Sequence, residues 1–167
     1  SSHFITLTYA TASVPLTKKG YMTLSRSDLQ KYFKRLRHFH KKTLFRKWSN
    51  VDYGEYRPIR YYAVGEYGAK RKRPHYHAIV FNAHPRHIRD AWDEVTNGQG
   101  MKVVAGDVHI GQVSRNSCRY VLKYMLKDEG TKKAVPYPYP YDGIPQFSTM
   151  SRNLGINYLT QIGRAHV

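Results

Sequence analysis

Large apolar and small polar residues alternate through Phe4-Ile5-Thr6-Leu7-Thr8-Tyr9, which predicts a strand. Ser25-x-x-Asp28 has the form of a capping box and precedes a helix of about 20 residues. Leu29, Tyr32, Phe33, Leu36 and Phe39 follow helical spacing along one face of it, while Lys31, Lys34, Arg35, Arg37, Lys41 and Lys42 line the other. Arg60 to Glu66 and His75 to Phe81 read as two strands joined by a glycine-bearing, basic connector, the pattern of an antiparallel hairpin. A short helix is expected over His87 to Val95. A further strand is expected over Asp107 to Val113, followed by a helix capped at Ser114 or Asn116 and running to about Lys127. Pro136-Tyr137-Pro138-Tyr139-Pro140-Tyr141 is incompatible with a helix or a central strand and reads as an extended connector. Interleaved hairpins and helices make the fold class α+β, an antiparallel β-sheet with flanking helices. No internal repeat is visible.

Charge narrows the choice of partner. The chain has 167 residues, 41% of them hydrophobic, enough for one domain with a real core. Its formal net charge is +17, from 28 Lys and Arg against 11 Asp and Glu, which points to a polyanion. No apolar run approaches the roughly 20 residues that span a bilayer, and no signal peptide opens the chain, which argues against a membrane. The 15 Tyr and 6 Phe mixed among basic residues suit stacking on unpaired bases, although many of them equally suit a core. Cys118 is the only cysteine, so a disulfide framework and a cysteine-type zinc knuckle are excluded, and a reducing cytosol is the natural compartment. The basic helix face taken alone reads as a solvated surface.

Two groups of residues carry candidate chemistry. His75-Tyr76-His77 puts two imidazoles on one face of a strand, because side chains alternate with period two. Such a pair suits a divalent cation if a carboxylate arrives from the neighbouring strand, and Glu66 stands where the hairpin would bring it alongside. The bland alternatives are packed histidines and a surface glutamate neutralised by nearby arginines. His84 and His87 lie too far along the strand direction to join, by over roughly 20 Å at about 3.3 Å per residue, and read as surface histidines.

In the helix after Ser114, Cys118, Val121, Leu122, Met125 and Leu126 form one apolar face. Tyr120, Tyr124 and Lys127 form a stripe on the opposite face, where core tyrosines would not be expected. A tyrosine oxygen is a poor nucleophile at its usual pKa of about 10. A metal that polarises the phosphate and a cation that offsets developing charge make it useful. The alternative is an ordinary surface helix in a chain rich in Tyr and Lys.

Together these segments resemble the HUH endonuclease superfamily, and more closely the replication initiators of microviruses, particularly those of gokushovirus-like single-stranded DNA phages. Phe4 to Tyr9 is similar to the first family motif, and Gly65-Glu66-Tyr67-Gly68 with Arg73-Pro74-His75-Tyr76-His77-Ala78-Ile79-Val80-Phe81 to the second. Tyr120-x3-Tyr124-x2-Lys127 is similar to the paired-tyrosine third motif. The resemblance implies a ferredoxin-like, RRM-like fold, with His75, His77 and Glu66 holding Mg2+ or Mn2+. It implies Tyr120 and Tyr124 as alternating nucleophiles with Lys127 as cationic helper, cutting an origin through a covalent 5′-phosphotyrosine and leaving a 3′ hydroxyl. Lys34, Arg35 and Lys41 of the first helix, with Lys70, Arg71, Lys72 and Arg73 of the hairpin turn, are expected to flank the cleft and hold DNA.

The rest of the chain qualifies that picture. Residues 1–128 are expected to form the catalytic domain and 129–161 an extended tail of it. Phe147 to Ile156 resembles a later family motif, with Leu154 where proline is usual and Asn157 where glycine is. The family's usual segment before the first motif is missing, and residues 162–167 read as the translation of a sequencing adapter. No G-x-x-x-x-G-K-[ST] occurs, so a host helicase and polymerase in the bacterial cytoplasm are the expected partners. Alternatives are a plasmid initiator, relaxase or transposase of the same class, a non-catalytic RNA- or single-strand-binding module, and a zinc hydrolase.

Overall fold

A computed structural model describes residues 1–46, 57–96, 99–126, 135–138, 140–152 and 154. In chain order these residues form β1 (Ser2–Thr8), α1 (Arg26–Arg46), β2 (Arg60–Tyr67), β3 (Pro74–Phe81), α2 (Pro85–Asp90), β4 (Glu94–Thr96), β5 (Lys102–Val104), β6 (Val108–Gln112), α3 (Arg115–Leu126) and β7 (Phe147–Met150). Five strands make an antiparallel sheet in the order β6-β1-β3-β2-β7, and β4 and β5 form a separate hairpin. The fold is α+β.

Alternation along the strands separates two packed layers. Ile5, Leu7, Tyr61, Ala63, Tyr76, Ala78 and Val80 face α1 and α2, where Leu29, Tyr32, Phe33, Leu36, Ile88 and Trp92 complete the larger core. Tyr62, Val64 and Ile79 face the other way and are covered by Val121 of α3, with Phe4, Phe81, Val113 and Cys118 around them. Any residue on β1, β2 or β3 therefore reports through its parity which helix layer it meets.

The N-terminus of α1 departs from the expected capping box. Ser25 Oγ does accept from the backbone N–H of Asp28 at 3.1 Å. Asp28, however, does not reach back to Ser25. The Ser25 N–H donates instead to the Tyr76 hydroxyl at 2.8 Å, and the Asp28 carboxylate accepts from Tyr9 at 2.8 Å. The two phenols also meet at 2.7 Å, and Tyr76 donates to the Ser25 carbonyl. Tyr76, the residue between the two histidines, thus ties β3 to the start of α1 through a buried polar cluster that leaves little unsatisfied.

Other boundaries moved for identifiable reasons. The short helix spans Pro85–Asp90, earlier than expected, because His84 caps it through a bond from Arg86 N and Pro85 opens it. Beyond it the chain turns so that Trp92 is buried and donates to the Thr8 carbonyl at 2.9 Å, and Glu94–Thr96 pairs as a strand. Ser114 caps α3: its Oγ accepts from Ser117 N at 3.1 Å, while Ser117 Oγ accepts from Ser114 N at 2.7 Å. The described part of the proline-tyrosine segment is extended, and Tyr141 packs against Tyr21 and Tyr67. Phe147–Met150 then adds an edge strand to β2, an element that the hydropathy pattern did not predict.

Candidate active site

The β2–β3 register sets Glu66 directly opposite His75, and period two carries His77 onto the same face. β1 lies on the other side of β3 and pairs Thr8 with His75 and Thr6 with His77. Glu66, His75 and His77 offer ligand atoms that all lie within 4.8 Å of one another, the only such group among the described residues. Oε1 of Glu66 is 3.0 Å from Nε2 of His75 and 3.1 Å from Nε2 of His77. Glu66 is 5% exposed, so this carboxylate has lost most of its water and depends on these partners.

Each imidazole is oriented from behind. His75 Nδ1 lies 3.2 Å from the Arg73 carbonyl, and His77 Nδ1 lies 2.9 Å from Thr6 Oγ1. A carbonyl only accepts, so Nδ1 of His75 carries the proton, and the neutral ring turns a bare Nε2 toward the carboxylate. A lone pair and a carboxylate oxygen at this distance repel unless positive charge, a proton or a metal ion, lies between them. The Arg73 carbonyl also accepts from Gly68 N at 2.9 Å, and Lys72 takes a left-handed φ of 57° in closing the turn. Thus the turn that joins β2 to β3 also aims His75. Phe4 stacks on the His77 ring with centroids 5.5 Å apart, fixing its plane.

A metal ion fits this donor set. Ligands bound at about 2.1 Å and at right angles stand about 3 Å apart, the separation found here between oxygen and nitrogen. Two imidazoles and one carboxylate leave positions open for water or a phosphate oxygen, and the mixed donor set suits Mn2+ or Mg2+.

Tyr120 meets the same carboxylate. Its hydroxyl donates to Oε1 of Glu66, and its ring packs edge-on against His77 with centroids 5.2 Å apart. Burial raises the Tyr120 pKa above its usual value, and the hydrogen bond to Glu66 and the negative charge there raise it further. The ammonium of Lys123 lies 3.8 Å from the centroid of the Tyr120 ring. Tyr124 stands one turn after Tyr120 on α3, with its side chain outside the described residues, as is the whole of Lys127.

The face assignment for α3 needs correction. Val121 and Ser117 are the buried positions, whereas Leu122, placed on the apolar face by hydropathy, is 43% exposed. Ser117 can be buried because its hydroxyl is satisfied within the cap. Tyr120 is therefore on the flank of the sheet-facing side rather than opposite it, which is how its oxygen reaches Glu66.

The basic residues divide. Lys70 and Arg71 are exposed on the turn directly beyond the Glu66–His75 pair. Arg73 donates to the Tyr9 carbonyl at 2.9 Å, which braces the end of β1, and Lys72 is half-buried. Lys34, Arg35 and Lys41 belong to α1, across the sheet from the histidines, so the expectation that they flank the cleft does not hold. Arg35 Nε donates to the Ala91 carbonyl at 2.8 Å and joins α1 to the end of α2. His84 is exposed and acts as a helix cap, and His87 packs beside it, both outside the metal group. Thr6, Phe4 and the Arg73 carbonyl were missed in the sequence, since their roles follow from strand register, which no local spacing reveals.

Comparison with known proteins agrees with this arrangement. The chain is 32% identical over 78 residues to Replication-associated protein VP4 of Bdellovibrio phage phiMH2K, covering 42% of this chain and 25% of that protein. It is 27% identical over 167 residues to Replication-associated protein ORF2 of Spiroplasma virus 4, covering 95% of this chain and 47% of that one. The chain thus spans about half the length, or less, of the curated relatives it matches. No solved structure matches it. Among the described residues no helix is long and apolar enough to cross a membrane. Residues 2–129 match the family described as Replication-associated protein ORF2, and the chain belongs to that family.

Proposed function

We propose that this chain initiates rolling-circle replication as a metal-dependent endonuclease that nicks single-stranded origin DNA through a covalent 5′-phosphotyrosine. The observation that carries the proposal is the convergence on Glu66 of two imidazole nitrogens and the Tyr120 hydroxyl. Phage replication-associated relatives support the biological role.

Glu66, His75 and His77 would hold Mn2+ or Mg2+, which when bound polarises the scissile phosphate and offsets the charge of Glu66. The Tyr120 oxygen attacks phosphorus and forms the new P–O bond. The bond to the 3′ oxygen breaks, and that oxygen leaves as a hydroxyl, taking up through solvent the proton the phenol gives up. The 5′ side of the downstream DNA stays on the protein, and the released 3′ hydroxyl serves as primer. Tyr124, one turn along α3 and about 6 Å further on, supplies a second nucleophile for the cut that ends a round. Host helicase and polymerase in the bacterial cytoplasm supply the remaining activities.

Incubation with 3′-labelled single strands and Mn2+, followed by a denaturing gel, tests the reading. Label should migrate with the protein, and the Tyr120→Phe, Tyr124→Phe double variant should bind strands yet carry none. Labelled protein from the double variant would put the nucleophile elsewhere. A protein that binds strands and never becomes labelled would favour a binding module, in which phenylalanine stacks on bases as well as tyrosine does.

A further inference from the structure

The sequence repeats one spacing: a lysine follows each tyrosine of the pair by three residues, as Tyr120 with Lys123 and Tyr124 with Lys127. On a helix such pairs lie on one side and can touch. For the first pair the contact is made, with the Lys123 ammonium 3.8 Å from the centroid of the Tyr120 ring. The opposite constraint comes from the His77 ring, edge-on at 5.2 Å, and the hydroxyl is held at Glu66. The ring is therefore fixed at three points, and Lys123 is the only one of them that brings a permanent positive charge.

We propose that Lys123 is the positioning residue of Tyr120, holding its ring over the site and offsetting the negative charge that gathers on its oxygen as the P–O bond forms. This rests on the nuclease reading above. Each nucleophile then has its own cation three residues on, and the two tyrosines can be impaired separately. A lysine that merely contacts DNA backbone would serve both tyrosines alike. The geometry favours the first role, because the ammonium lies against the face of a particular ring, where the attraction to the π electrons is greatest.

The test compares two parents, Tyr124→Phe and Tyr120→Phe, each leaving one working tyrosine. Both are incubated with Mn2+ and a 3′-labelled single-stranded pool with a randomised centre, and the rate of adduct formation is followed. Lys123→Met should slow adduct formation about tenfold where Tyr120 is the nucleophile. The loss should be several-fold smaller where Tyr124 is, and Lys123→Arg should restore most of the Tyr120 rate. Strand affinity and melting temperature, measured on the same variants, should stay close to those of the parents. Equal losses in the two parents, or no loss in either, would overturn the assignment while leaving the nuclease intact. Parents that bind the pool and form no adduct at all would overturn the nuclease reading itself.

Discussion

Thr6 Oγ1 lies 2.9 Å from Nδ1 of His77, across the β1–β3 pair, on the side of the ring away from Glu66. If Nε2 is to bind a metal, Nδ1 must carry the proton, and the threonine oxygen is its acceptor. Losing such an outer partner typically costs about 10- to 100-fold in metal affinity. Thr6→Val, which keeps the shape and removes the acceptor, should weaken Mn2+ binding within about that range. Thr6→Ser should retain most of it. Calorimetric titration with Mn2+ measures both, and a valine variant that binds as the parent does would show that Thr6 does not orient the ring.

Gly65 explains itself once Phe147 is in place. A Cβ added at Gly65 would stand 2.7 Å from Phe147 Cε1, and β7 is held to β2 at this pair. Gly65→Ala should therefore destabilise the fold by about 1–3 kcal/mol, the usual range for overpacking. Phe147→Leu, which removes the ring, should cancel part of that loss. Urea unfolding of the two single variants and the double variant gives the coupling, and strictly additive losses would mean that the contact is not the cause.

How much of this was legible beforehand follows from the range of each signal. The His75, His77 and Glu66 cluster could be read because a short hairpin makes its register local. The layer that buries Tyr76 and the one that holds His75 follow from parity alone. Thr6 could not be found that way, since its pairing with His77 joins residues 71 apart in sequence. Nor could the roll of α3, because hydropathy counts Leu122 as core and Ser117 as surface, whereas capping allows the reverse. The basic face of α1 was visible as charge, but which side of the sheet it served depended on the apolar face and on the sheet as a whole.

Tyr9, Tyr32 and Tyr76 are buried, and burial raises each phenol above the ordinary tyrosine pKa of about 10. Below that value the phenols are neutral in both folded and unfolded chains, so the stability associated with them is fully present. As pH rises past it the unfolded chain ionises and the folded one does not, so stability is lost. Each tyrosine should contribute a slope of about 1.4 kcal/mol per pH unit in that alkaline range. Phenolate absorbance should then rise in a cooperative step that coincides with unfolding followed by circular dichroism, and Tyr32→Phe should reduce its amplitude. Full ionisation of all tyrosines in the still-folded protein would contradict the burial.

The last prediction turns on which side of the sheet DNA occupies. Glu66, His75 and His77 project away from α1, and the hairpin turn carrying Lys70 and Arg71 begins one residue beyond the Glu66–His75 pair. Exposed Lys34 and Lys41 stand on α1 in the other layer. A strand whose phosphate reaches the histidines therefore passes the turn first. Affinity for single strands should fall with salt by a log–log slope near about −0.7 for each phosphate contacted. Replacing Lys70 and Arg71 together by alanine should weaken binding and reduce that slope by about 1.4, one contact for each residue. Replacing Lys34 and Lys41 should change the slope far less, although the charge removed is the same. Equal net charge in the two double variants removes long-range attraction as the explanation of any difference. If the α1 variant loses the larger part of the slope, the strand wraps the helix layer, and the path past the turn is wrong.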